Sequence, residues 1–107
     1  LAPGPRLLHI PRVARLELSG KHRKLLRGLA HELQPVVLVG AGGISAGVVA
    51  AVDRALLDHE LIKVRMREPD DKKGMAESLA EATDAALCGL VGHTLILYRP
   101  HPEKPVI

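Results

Sequence analysis

The chain has 107 residues, a length that supports one hydrophobic core and one domain. Apolar residues make up 47%, which excludes a disordered chain, but Trp and Phe are absent and Tyr98 is the one aromatic residue, which excludes readers that hold bases on aromatic platforms, as RRM and OB domains do. The formal charge is +3, and the single cysteine, Cys88, excludes an internal disulfide and a thiolate metal cluster and fits a reducing, cytoplasmic setting.

Residues 1–15 read as an irregular, weakly basic leader carrying Arg6, Arg12 and Arg15. Pro3, Pro5 and Pro11 break any apolar run there, so it is no signal peptide, and with no initiating Met it need not be native. Ser19 is an N-cap candidate. The helix after it places Leu26, Leu29, Ala30 and Leu33 on one stripe and Lys21, Lys24, Arg27 and His31 on another face. Gln34-Pro35 stops it. Val36–Val39 then reads as a short buried strand, because three of its four apolar residues are β-branched. The turn Gly40-Ala41-Gly42-Gly43 leads to Ser45, which opens a second helix to about Asp58 with Val48, Val49, Val52 and Leu56 on its apolar side.

Leu61–Arg67 alternates strictly, with Ile62, Val64 and Met66 on one face and Lys63, Arg65 and Arg67 on the other. Like charges along a strand repel, so folding does not ask for three in a row. Two readings remain open: a binding face, or an edge strand protected from aggregation by its charge. After the turn Glu68-Pro69-Asp70-Asp71, a third helix presents Met75, Leu79 and Ala82, flanked by Ala76 and Ala80. Strands Leu87–Val91 and Thr94–Arg99 follow, joined by Gly92-His93 as a hairpin. His101–Ile107 is a proline-rich tail. The expected fold is α/β, one compact domain in the order αβαβαββ, its sheet partly parallel with a closing antiparallel pair.

Charge is uneven along this order. Lys21–Arg27 holds four basic residues and no acidic one, whereas Gly74–Tyr98 holds Glu77, Glu81 and Asp84 and no Lys or Arg. Such a division suits a polyanion binder as well as a solvated surface. The glycine turn is not a P-loop, since the spacing and the lysine are missing. Nor is it a full dinucleotide fingerprint, since Ser45 stands at the third glycine position. What remains is Gly-x-x-Gly before a helix N-terminus, a loop that in KH domains lies against a nucleic-acid backbone, or else merely a tight strand-to-helix turn. The six histidines are scattered without metal-ligand spacing, and no nucleophile stands at recognisable spacing from a base. No catalytic residue, metal site or cofactor is expected, and no apolar run approaches the roughly 18 residues of a membrane span.

Together, Leu18-Ser19, Lys21, Leu29-Ala30-His31, Pro35-Val36-Val37, the Gly-x-x-Gly loop, His59-Glu60-Leu61-Ile62-Lys63-Val64 and Val91-Gly92-His93-Thr94-Leu95-Ile96-Leu97-Tyr98-Arg99-Pro100 resemble the CRM (chloroplast RNA splicing and ribosome maturation) domain, above all its stand-alone bacterial YhbY-like form. The resemblance covers about residues 16–100. It implies a four-stranded mixed sheet with helices, similar to the C-terminal domain of translation initiation factor three. It also implies RNA binding without catalysis, and in bacteria an association with precursors of the large ribosomal subunit. The RNA contacts it implies are Gly40, Ala41, Gly42 and Gly43 with Lys21, Lys24, Lys63 and Arg65; Arg27 and Arg67 join them by charge. Family members often carry a basic or polar residue between the outer glycines. Ala41-Gly42 offers only backbone there, which shifts the expected contact to the first helix and Leu61–Arg67. The expected function is thus a ribosome large-subunit assembly factor contacting precursor rRNA, with no membrane partner. A protein-interaction module docking an acidic partner is the alternative, and a small enzyme with a phosphate ligand at the glycine turn is a third reading.

Overall fold

The computed structural model describes residues 19–107, so the leader at 1–15 lies outside the described residues. The elements follow the expected order: α1 (Gly20–Ala30), β1 (Pro35–Val39), α2 (Ala46–His59), β2 (Leu61–Met66), α3 (Lys72–Ala82), β3 (Ala86–Val91) and β4 (Thr94–Tyr98). The three helices begin on side-chain caps. Ser19, Ser45 and Asp71 accept from the amides of His22, Val48 and Gly74, satisfying donors that a helix start leaves unpaired.

The four strands form one mixed sheet in the order β1-β2-β4-β3. β1 runs parallel to β2; β2 and β3 each pair antiparallel with β4. Gly92 turns the hairpin at φ 58°, a left-handed conformation that glycine adopts without Cβ strain. The larger core lies between one sheet face and helices α2 and α3, centred on Val52, Leu56, Ile62, Val64, Met66, Leu79, Leu95 and Leu97. On the other face α1 covers a smaller cluster of Leu26, Ala30, Leu61, Ala86, Cys88 and Ile96. Helix α1 packs across β3, β4 and β2.

Four expectations change. β1 is an edge strand, not a buried one: only Val39 is buried, while Val36 and Leu38 are 49% and 56% exposed. Its inward residues meet α2, and its outward ones project where α1 does not reach. β2 is interior, with neighbours on both sides, so edge protection does not account for its cations. The α1 stripe narrows to Leu26 and Ala30: Leu33 lies past the helix end at Ala30, and Leu29, within the helix, is open to solvent. On α3 the buried side is Ala76, Leu79 and Ala80, and Ala82 is exposed.

Two charged side chains close the fold. The Arg99 guanidinium donates to Asp53 Oδ1 (2.6 Å), the Asp53 carbonyl (3.0 Å) and the Thr83 carbonyl (2.8 Å), tying the end of β4 to α2 and to the end of α3. Glu60, 4% exposed and at φ 66°, caps the end of α2. Its carboxylate accepts from the amides of His101 (2.6 Å), Val106 (2.9 Å) and Ile107 (2.9 Å), so the segment expected as a tail folds back onto the domain. Burial pushes the Glu60 carboxyl up, but those three amides and the nearby His101 outweigh it and leave it below its ordinary value. Its share of stability is therefore present above the ordinary glutamate range and is lost as pH falls through the lowered folded value.

Arg99→Met is expected to cost about 1–2 kcal/mol, chiefly through the part-buried Thr83 carbonyl that loses its donor, since the Asp53 carbonyl keeps its place in the ladder of α2 and the Asp53 side chain is 59% exposed, so its ion pair is screened. A urea titration checks this by a lower midpoint at unchanged slope. Glu60→Gln is expected to speed amide exchange at His101, Val106 and Ile107, and acidification of the wild type to do the same. Protection of those amides that survives the substitution would show that another contact holds the segment.

Candidate nucleic-acid interface

Alternation in β2 puts Ile62, Val64 and Met66 into the larger core and turns Lys63 and Arg65 to the α1 side. There they meet α1 and β4. Lys63 pairs in register with Ile96, and Arg65 with Thr94. With Arg27 from α1 and His31 just past its end, Lys63 and Arg65 line a groove of about 430 Å³ that has no acidic residue in its wall.

Each cation is held differently. Arg27 lies along β3: its guanidinium donates to the Cys88 carbonyl (3.0 Å), and its stem passes over Gly89. A Cβ at residue 89 would stand 2.8 Å from Arg27 Cδ, so glycine is what lets the stem lie flat. Lys63 Nζ donates to the His31 carbonyl (3.2 Å) just past the end of α1, where a cation complements the helix dipole. Arg65 is exposed, and its side chain makes no hydrogen bond or ion pair among the described residues.

The glycine turn sits at the C-terminal end of the parallel pair. The Gly43 amide donates to the Gly40 carbonyl (3.0 Å), and Gly43 has φ 79°. This is the one glycine of the loop that the backbone conformation requires. A Cβ at Gly40 or Gly42 would meet open space, so packing within the domain does not exclude a side chain at either position. The Arg67 amide donates to the Val39 carbonyl (2.9 Å), which fixes Arg67 beside the residue that precedes the loop.

The structure therefore brings Arg27, Lys63 and Arg65 into one groove and sets Arg67 beside the loop Gly40, Ala41, Gly42 and Gly43. Lys21 and Lys24 stay on the exposed surface of the first half of α1, outside the groove lining. Sequence reasoning missed Gln34, Val91 and Thr94, which line the same groove. The signal for Thr94 was present: it shares a strand face with Ile96 and Tyr98, and that face meets α1.

The other candidates are accounted for structurally. Burial pushes the Cys88 thiol up to about 11, against the pull of Arg23 and Arg27, so it stays protonated at neutral pH. Tyr98 is half-buried against the α1 cluster and donates to the Ile107 carbonyl (3.1 Å), so its ring is not a free stacking platform. Burial, then the charges of Glu60 and Cys88, raises its phenol. Among the described residues, no group of three His, Cys, Asp or Glu is placed to hold a metal, and no helix is long and apolar enough to cross a membrane.

Known proteins are similar to this chain in sequence and in fold. The family model for the CRS1 / YhbY (CRM) domain matches residues 18–99. A protein of Haemophilus influenzae named an RNA-binding protein is 42% identical over 91 residues, covering 83% of this chain and 92% of that one. A protein of Methanocaldococcus jannaschii named a probable RNA-binding protein is 46% identical over 88 residues, covering 78% of this chain and 65% of its own length. The solution structure of a Staphylococcus aureus protein superposes with a TM-score of 0.73 at 39% identity, over 81% of this chain and 93% of that one. The chain is a member of the CRS1/YhbY (CRM) domain family.

Proposed function

We propose that this protein binds structured RNA through the groove beneath α1 and the adjoining glycine turn. The observation that carries this reading is the acid-free groove of Arg27, Lys63 and Arg65 on an interior strand, where edge protection does not explain the cations. The relatives named RNA-binding proteins support the choice of polyanion. In this reading Arg65 and Arg67 contact phosphates and displace their counterions, Lys21 and Lys24 extend the track along α1, and the turn lets a backbone approach at Gly40 and Gly42. The proposed RNA is precursor rRNA of the large ribosomal subunit and the role is assembly in the cytoplasm, with no cofactor and no reaction catalysed.

Binding to rRNA fragments is expected to weaken steeply with salt, and Arg65→Ala and Arg67→Ala each to lower the logarithmic salt slope by about 1. These two positions are cleaner probes than Lys63, whose hydrogen bond to α1 also supports the fold. Gly42→Asp, which meets open space, is expected to keep the melting temperature and lose affinity. Affinity that is flat across the salt series would refute the reading. Retention by a protein partner after nuclease digestion would instead favour docking to an acidic protein.

A further inference from the structure

The groove holds more than phosphate chemistry. A bare phosphate needs only cations, and Lys63 and Arg65 supply them. The same wall carries an apolar lining: Ile96, 4% exposed, with Leu33 and Val91, 38% and 67% exposed. It also carries two uncharged hydrogen-bonding groups, the Gln34 amide and the Thr94 hydroxyl. The amide both donates and accepts, as reading a base edge requires. A volume of about 430 Å³ suits one small ligand, well short of a duplex or a folded protein surface. Cation, apolar wall and amide in one cleft match the phosphate, the base face and the base edge of a nucleotide, which an exposed basic patch would not distinguish.

Resting on the RNA-binding reading above, we infer that this groove seats a single unpaired nucleotide of the bound RNA. Its phosphate lies against Lys63 and Arg65, its base against Leu33, Val91 and Ile96, and its polar edge toward Gln34 and Thr94. Selection for a bulge or loop then comes from a cleft with no Phe, Tyr or Trp in its lining, the apolar wall taking the place of their stacking platform.

The test compares a hairpin bearing one bulged nucleotide with the fully paired hairpin of the same stem, both closed by a polyethylene glycol linker so that no loop nucleotide is unpaired, by fluorescence anisotropy. Wild type is expected to favour the bulged form by about tenfold, the effect of one contact worth about 1.4 kcal/mol. The double variant Gln34→Ala/Val91→Ser, at two exposed positions, is expected to bring that ratio close to one, with thermal melting confirming its fold. In parallel, adenosine and uridine 5′-monophosphates are titrated into labelled protein, with shifts expected at the amides of Gln34, Val91 and Thr94. Equal wild-type affinity for the two hairpins, or a ratio unmoved in the variant, overturns the groove inference and leaves RNA binding standing. Failure to bind either hairpin overturns the RNA reading itself. The mononucleotide titration then decides the groove alone: shifts confined to it support the inference, and their absence overturns it.

Discussion

The structure depends on the two faces of β2. Ile62, Val64 and Met66 are at most 2% exposed, packed between the sheet and helices α2 and α3. A slip of one residue in register would drive Lys63 and Arg65 into that core and turn its apolar side chains to the α1 side. Burying unpaired cations costs far more than the slip could return. The register is therefore fixed by the core, and the core thereby fixes where the cations stand. Pairing with β1 on one side and β4 on the other removes the freedom an edge strand would keep.

Helix α1 turns this fixed row of charge into a groove. It is held by a narrow stripe, Leu26 and Ala30, and by two polar ties running in opposite directions: Arg27 from helix to strand, and Lys63 from strand to helix end. Each tie uses only part of its cation's donor capacity, since a guanidinium has five N–H groups and an ammonium three. The remaining donors stay available to an anion. A cation that both fixes the helix and faces the groove is pre-organised, so little side-chain entropy is lost when it meets a phosphate. Arg65 has no such tie among the described residues and adapts to its ligand instead.

Much of this was legible in the sequence, for identifiable reasons. Caps at Ser19 and Ser45, the strict alternation of Leu61–Met66 and the Gly92-His93 turn are local signals, and each element they mark is present. Burial was less legible where it depends on what lies next door. Val36–Val39 has the composition of a buried strand, but its sheet position leaves one side uncovered, and no periodicity within four residues reports that. The stripe on α1 failed similarly: Leu33 matches the helical period but lies past the helix end at Ala30, and Leu29 matches it within the helix yet is left uncovered. The groove needed tertiary information: Val91 and Thr94 pair across the hairpin, but Gln34 is far from them in sequence and joins them through the pairing of β1 with β2 and of β2 with β4.

Two charged residues of the stretches that carry the family resemblance, Glu60 and Arg99, do a different job from the groove. Glu60 is buried beneath the returning chain end, and Arg99 is spent on Asp53 and Thr83; neither lines the cationic cleft. Both are charged groups removed from water, and a partly buried charge persists only where hydrogen bonds compensate its desolvation, which constrains its partners more tightly than an exposed lysine is constrained. The exposed cations at Lys21, Lys24 and Arg67 carry no such demand: any long basic side chain near those places presents the same charge to a phosphate. Glu60 and Arg99 therefore serve the scaffold, and substitution at Gln34, Thr94 or Val91 would reshape the groove without disturbing either of them.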